Sequence, residues 1–152
     1  MPATNNFEDE ILKLLFQNVN ISNMGDSTGI ISSTTAGSHY ISLHTAALSD
    51  VSNNQNTSET SYAGYARKAV ARSSAQWAIS GTTPTQVANI NAITFGASTN
   101  GPFTMTDFGI GYAASGSTAD SLRIYGSLTS NLVINNGITP EFAASSLQIT
   151  VS

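Results

Sequence analysis

The side chains that could perform metal or nucleophilic chemistry are few in this sequence. His39 and His44 are its only histidines, and there is no cysteine. An odd separation along a strand sends two side chains to opposite faces, so we expect that these histidines do not bind one metal ion. Without cysteine, disulfides, thiolate zinc sites and cysteine nucleophiles are excluded. We expect His44 to form a hydrogen bond with a loop carbonyl.

Paired carboxylates are another arrangement that could carry catalysis, since glycoside hydrolysis uses two of them. Asp107, Asp120 and Glu141 are the candidates, but nothing in the sequence places two of them together. Asp107 precedes Phe108 in an alternating segment, which is typical of a strand rather than a catalytic cleft. We therefore expect that the protein is not an enzyme and has no cofactor and no metal.

Charged residues are scarce, and this limits the classes of partner. They form 9% of the chain, which carries a net charge of -4, against about 25% in an average protein. The five basic residues are too few to neutralise phosphates, so we expect no nucleic-acid partner. No segment approaches the ~20 apolar residues of a membrane span. The N-terminus is acidic where a secretory signal would be basic, so we expect neither a signal nor a membrane partner.

An amphipathic helix is predicted near the N-terminus. Asn5 or Asn6 is the expected cap, and Glu8 and Asp9 favour the positive end of the helix dipole. Helical spacing places four apolar side chains on one face: Phe7, Ile11, Leu14 and Leu15. This face is widened by Leu12, Phe16 and Val19. This face either packs on its own domain or docks on a partner subunit.

The remainder of the chain alternates with the period of strands and lacks interleaved helices. The predicted strands are His39–Thr45, Tyr65–Ser73, Gln76–Ile79, Val87–Phe95, Thr104–Tyr112, Leu122–Leu128, one within Leu132–Phe142, and Leu147–Val151. Asn136 and Gly137 are expected to form a tight hairpin turn. We predict an all-β fold: an antiparallel β-sandwich or jelly roll of about eight strands with one N-terminal amphipathic helix.

The predicted organisation is an N-terminal helix and extended segment over residues 1–38, followed by a β-sandwich domain over 39–152, in one compact unit overall. The apolar positions of the strands define the predicted core. Its members are Ile41, Leu43, Val70, Trp77, Ile79, Ile90, Ile93, Phe95, Phe108, Ile110, Leu122, Ile124, Leu128, Leu147, Ile149 and Val151.

A series of short motifs spans most of the chain. It begins with YISLHTA from Tyr40 and GYAR from Gly64, and continues through AITF, FGI and NGITPEFAA. In this order it resembles a family of small tailed-bacteriophage virion proteins, described as decoration proteins or tail-fibre proteins.

The resemblance implies a structural virion protein that decorates the outer surface of a capsid after assembly in the host cytoplasm. Its partners would be the major capsid protein and copies of itself, as a dimer or trimer, joined by non-covalent multivalent contacts. The alternative is a tail-fibre or tail-tip subunit, or an adhesin module that binds host surface glycan. Glycan binding would need an exposed aromatic ring, for which Tyr62, Tyr65 and Tyr112 are the candidates.

The polar spacer Leu48–Ser61 and the basic cluster that follows it are the other candidate contacts with a partner. Spacers of this length are uncommon unless they are functional or disordered, so we expect this one to order at a subunit interface. Arg67 is expected to form a structural pair within the chain. The predicted partner-binding residues, besides the helix face, are Asp50, Glu59, Lys68 and Arg72.

Overall fold

A short helix begins the part of the chain that the structure describes. The structure is a computed structural model and describes residues 3–22, 24–25, 29–81 and 85–151. The helix α1 spans Asn5–Leu12 and continues as a wider π-turn over Lys13–Gln17. Its cap is Thr4, whose extended backbone precedes the helix and whose hydroxyl accepts a hydrogen bond from the Phe7 amide at 3.4 Å. The cap therefore lies one position before the predicted Asn5 or Asn6.

The helix buries the border of the predicted face, at Leu12 and Phe16, rather than its centre. Glu8, Leu12 and Phe16 are its buried residues. The predicted face is less covered: Phe7, Ile11 and Leu14 are half-buried, and Leu15 is 43% exposed. Glu8 and Leu12 already lie on the buried side within α1, before the π-turn begins at Lys13.

Arg72 closes the carboxyl end of this helical segment. Its guanidinium donates hydrogen bonds to the carbonyl oxygens of Leu14 at 2.5 Å and Leu15 at 2.6 Å, and to that of Ala36 at 3.2 Å. The last carbonyls of a helix have no partner within it, and a cation there is favoured by the helix dipole. This residue, predicted to bind a partner, thus has a role inside the chain.

Nine strands follow within the described residues. They are β1 Ser38–His44, β2 Lys68–Ala71, β3 Trp77–Ser80, β4 Thr85–Asn89, β5 Ile93–Thr94, β6 Phe103–Gly111, β7 Leu122–Ile134, β8 Glu141–Phe142 and β9 Gln148–Val151. The largest sheet has the order β2-β1-β6-β7, with β1 and β7 both antiparallel to β6. A second antiparallel sheet has the order β3-β4-β9, and β5 pairs with β8. The predicted all-β fold with antiparallel sheets and one N-terminal helix is confirmed.

The chain forms two compact units. Unit 1 consists of the described residues of 1–38, 71–93 and 142–152, and it holds the helix and the three-stranded sheet. Unit 2 consists of residues 39–70 and 94–141 and holds the four-stranded sheet. The predicted division into 1–38 and 39–152 stays a prediction. Among the described residues, no helix is long and apolar enough to cross a membrane.

One predicted strand is divided in the structure, and another is longer than predicted. The predicted strand Val87–Phe95 is divided into β4 and β5, because the side-chain amide of Asn89 turns back to the carbonyl oxygens of Asn91 and Ala143, each at 2.8 Å. The strand predicted to end at Leu128 continues to Ile134, and its register against β6 shifts by a bulge between the pairs of Met105 and Asp107.

The predicted hairpin at Asn136 and Gly137 is wrong. The turn itself is present, since Gly137 has a φ of 85° and the Ile138 amide donates to the Asn135 carbonyl at 3.1 Å. The chain after it does not pair with β7, because Gly137 and Ile138 instead exchange backbone hydrogen bonds with Ser98 at 2.7 and 2.9 Å. The turn therefore joins β7 to a different part of unit 2.

About half of the core residues predicted from strand periodicity are buried in the structure. The predicted residues that are buried are Ile41, Leu43, Val70, Trp77, Ile93, Phe95, Ile110, Leu122 and Leu147. Those that are only half-buried are Ile79, Phe108, Ile124, Leu128 and Ile149, while Ile90 is exposed. The side chain of Val151 lies outside the described set. Ile124 and Leu128 belong to β7, which is an edge strand and so lacks a neighbour on one side.

We expect Arg72→Ala to destabilise the protein by about 1–3 kcal/mol, because it leaves the terminal helix carbonyls without their charged donor. Urea unfolding followed by circular dichroism measures the change. Lys68→Ala is the matched control: Lys68 is exposed, and removing it should change the free energy of unfolding by no more than about 0.5 kcal/mol. Equal effects of the two substitutions would contradict the capping role.

Candidate functional site

The spacer Leu48–Ser61 is packed onto unit 2 rather than extended. Gln55 is fully buried, and its amide donates to the Tyr40 carbonyl at 2.8 Å and accepts from the Ala113 amide at 3.1 Å. A side chain on Gly111 would lie 2.3 Å from Cδ of Gln55, so only glycine leaves room for this anchor. Hydrogen bonds within unit 2 therefore hold the spacer, and its predicted contact with another subunit stays a prediction.

Arg67 and Glu59 form a buried ion pair that ties the end of the spacer to the strand segment after it. The guanidinium donates to both carboxylate oxygens, at 2.8 Å and 2.7 Å, and the two side chains are 2% and 13% exposed. Arg67 also donates to the carbonyl oxygens of Ala113 at 3.0 Å and Gly116 at 2.9 Å. The predicted structural pair of Arg67 is thus confirmed, and its partner is a residue that was predicted to bind another subunit.

The Tyr65 hydroxyl completes this ion pair, since it donates to Glu59 at 2.7 Å and accepts from the Leu43 amide at 3.2 Å. Burial and the adjacent carboxylate raise the pKa of Tyr65 above its usual range, so the phenol keeps its proton. Tyr62 is also buried, with its hydroxyl donating to the Gly96 carbonyl at 3.0 Å. Neither tyrosine is therefore available for the glycan contact considered from the sequence.

His44 is a buried link between β1 and the spacer. Its Nδ1 lies 2.8 Å from the carbonyl oxygen of Thr57, which can only accept, so Nδ1 carries the hydrogen. Burial lowers the pKa of His44, although Glu59 and Asp107 oppose that shift. The imidazole is therefore neutral, and Nε2 accepts from the Ser42 hydroxyl at 2.8 Å. The predicted hydrogen bond with a loop carbonyl is confirmed.

The three candidate catalytic carboxylates each have separate partners. Asp107 is buried and accepts from the Leu48 amide and the Ser127 hydroxyl, both at 3.3 Å. Glu141 accepts from the Thr94 hydroxyl at 2.7 Å, and Asp120 is exposed. Among the described residues, no three His, Asp or Glu side chains are grouped so that they could hold a metal ion.

The segment Gly25–Gly29 reads GDSTG and has the spacing of a serine-hydrolase elbow, GxSxG. Residues 26–28 lie outside the described set, but the flanks do not fit an elbow, which lies between a strand and a helix. Ile21 and Ile30 pair as an isolated β-bridge, and no helix follows among the described residues. A side chain on Gly29 would lie 1.9 Å from the carbonyl oxygen of Ile21, so close backbone contact accounts for this glycine.

Exposed polar and aromatic side chains gather where the spacer meets the turn between β6 and β7. We call this group the tyrosine cluster; its members are Asp50, Asn53, Tyr112, Asp120, Arg123 and Tyr125. Tyr125 donates to Asp50 at 2.6 Å, and the Asn53 amide donates to Asp120 at 3.1 Å. These two contacts join the spacer to the β6–β7 turn and to β7.

Tyr112, the first residue after β6, is held by contacts within the turn between β6 and β7. Its hydroxyl donates to the Ala119 carbonyl at 3.0 Å, and the Arg123 guanidinium lies over its ring, 5.2 Å from the centroid. Hydrogen bonding to Asp50 raises the pKa of Tyr125. The cluster thus presents two aromatic rings together with two carboxylates, one amide and one guanidinium.

The predicted partner-binding residues lie in different places. Asp50 belongs to the tyrosine cluster, Lys68 is exposed on β2, Glu59 is in the ion pair, and Arg72 and the helix face belong to unit 1. Sequence reasoning identified Asp50 and Tyr112 but missed Tyr125. Strand alternation could have predicted its exposure, since Tyr125 lies on the opposite face of β7 from the apolar side chain of Ile124.

We expect Arg67→Met to cost about 3–5 kcal/mol of unfolding free energy, since it leaves the Glu59 carboxylate buried without its cation. Chemical denaturation of Arg67→Met, Glu59→Gln and the double variant completes a double-mutant cycle. The double variant should lose less stability than the sum of the two single losses. Strictly additive losses would mean that the two side chains are not coupled.

We expect the stability contributed by His44 to be full above about pH 6.5, the ordinary pKa of histidine in the unfolded chain. The folded pKa is lower, so this contribution is lost as the pH falls from 6.5 through the folded pKa. Unfolding free energies measured from pH 8 to pH 5 test this against His44→Asn, whose amide can still donate to Thr57. The stability of the natural protein should fall relative to that of the variant; parallel curves would exclude this role.

Comparison with known protein families places the chain in one of them. The sequence model of the family described as podophage GP4 fiber I protein gp80 matches residues 2–150. No curated protein matches the chain significantly. The family agrees with the resemblance to phage virion proteins. The chain therefore belongs to the podophage GP4 fiber I protein gp80 family and is a phage virion protein.

Proposed function

We propose that the protein is a structural subunit of a fibre on the virion of a tailed phage. The observation that carries this proposal is the match of a fibre-protein family to nearly the whole chain, residues 2–150. Of the two positions considered from the sequence, the family description supports the tail-fibre alternative better than capsid decoration. The location that we propose in the virion is therefore a fibre rather than the outer capsid surface.

The architecture of unit 2 supports a structural role. A fibre subunit must keep its surface in one shape. Ordering a long spacer costs conformational entropy, and here buried hydrogen bonds offset that cost. The Glu59 carboxylate, the Gln55 amide and the His44 imidazole all take part. Low charge and many hydroxyl and amide groups suit contacts made through hydrogen bonds rather than through long-range attraction.

The partners in this proposal are copies of the same chain and a neighbouring virion protein. A dimer or trimer would present each weak contact several times, which raises the overall affinity without any new contact. The N-terminal segment offers apolar side chains for attachment, since Leu15, Val19 and Ile31 are all exposed. The proposed action is binding, with no chemical reaction and no cofactor.

We expect antibodies against the protein to label the fibres of intact virions in immunogold electron microscopy. The number of copies per particle, measured by quantitative mass spectrometry, should be far below that of the major capsid protein. An antibody against the major capsid protein, which should label the whole shell, is the control. Uniform labelling of the shell by the first antibody would overturn the fibre assignment and support capsid decoration.

A further inference from the structure

Two tyrosine rings of the tyrosine cluster are exposed and yet held in place. Tyr112 is 47% exposed and Tyr125 is 37% exposed, while hydrogen bonds to Ala119 and Asp50 fix their hydroxyl groups. An exposed ring held by its own chain loses little conformational entropy when a ligand covers it. The negative face of an aromatic ring attracts the positively polarised C–H groups of an apolar ligand surface. Each ring therefore offers a preorganised surface to a molecule with one apolar face.

Hydrogen-bonding groups of the same cluster retain unused capacity. Asp50 and Asp120 each accept a hydrogen bond through Oδ1. In the described part of the chain, no hydrogen bond engages Oδ2 of either carboxylate. An ionised carboxylate forms short, strong hydrogen bonds with hydroxyl donors. The surface next to the rings is thus suited to a ligand that carries several hydroxyl groups.

The charges of the cluster indicate a neutral ligand. Two carboxylates are opposed by one guanidinium, that of Arg123, and this group already lies over the ring of Tyr112. A ligand with its own carboxylate or phosphate would meet a surface of net negative charge. Protein partners are also a poorer match, because aspartate is depleted at protein interfaces. A pyranose ring has the required features: C–H groups on one face, hydroxyl groups around its edge and no charge.

We propose that the tyrosine cluster binds a neutral saccharide, with the rings of Tyr112 and Tyr125 against its C–H face and Asp50 and Asp120 accepting from its hydroxyl groups. This inference rests on the proposed fibre function, in which the ligand is part of the surface polysaccharide of a host cell. Tyr125 acts twice, through its ring and through the hydrogen bond that orients Asp50.

The test is saturation-transfer NMR and isothermal titration of the full chain with neutral and acidic oligosaccharides. A neutral oligosaccharide should bind, and Tyr112→Ala and Asp50→Asn should each weaken it about tenfold or more, as expected for losing a ring contact or a charged acceptor. Tyr125→Phe keeps the ring and should cause a smaller loss. Val133→Ala, an exposed residue of the same strand outside the cluster, should leave the affinity unchanged.

Four results would overturn the proposal. They are binding that survives Tyr112→Ala, binding of acidic oligosaccharides alone, no binding of any saccharide at millimolar concentration, and an oligomer that Tyr112→Ala dissociates, which would make the cluster a contact between copies. Unchanged melting temperatures of the variants show that the fold is intact. The location of the protein in the virion is measured separately, so a protein found on the fibre that binds no saccharide would overturn this inference alone.

Discussion

The buried ion pair between Arg67 and Glu59 joins the end of the spacer to the start of β2, and Arg67 also reaches a segment more than 40 residues further along unit 2. Glu59 ends the spacer, Arg67 precedes β2, and the same guanidinium reaches the carbonyl oxygens of Ala113 and Gly116 after β6. Removing both charges from water is costly, and the full set of hydrogen bonds offsets that cost. The position of the spacer depends on this pair, and so does the tyrosine cluster, because Asp50 and Asn53 lie on the spacer.

Most of the fold could be predicted from local patterns, and the errors occur where longer-range contacts decide. Alternation identified the strands and the all-β class. In the helix, the most buried apolar side chains are Leu12 and Phe16 at the border of the predicted face, and no local pattern predicts the π-turn over Lys13–Gln17. The side chain of Asn89 ends β4 through contacts with a distant segment. Asn136 and Gly137 form a turn as expected. The chain after this turn pairs with the backbone of Ser98 rather than with the adjacent strand β7.

Less of the candidate site could be predicted. The internal role of Arg67 was implied by its match to the arginine of the GYAR motif, and that of His44 was expected because its strand offers no second metal ligand. The identities of those partners, Glu59 and Thr57, did not follow, because they lie on a spacer whose path depends on contacts with residues distant in the sequence. Of the tyrosines considered for glycan contact, Tyr62 and Tyr65 are engaged inside the unit. Exposure of a tyrosine depends on which strand forms the edge of a sheet, and that is a property of the topology.

The two edges of the four-stranded sheet determine how readily a strand of another chain could pair with it. One edge is β2, which has only four residues and begins with Lys68; the other is β7, whose ladder with β6 is broken by a bulge. Short, charged or bulged edges are poor templates for adding a further strand. With both edges blunted in this way, the sheet is a poor template for growth into open-ended polymers.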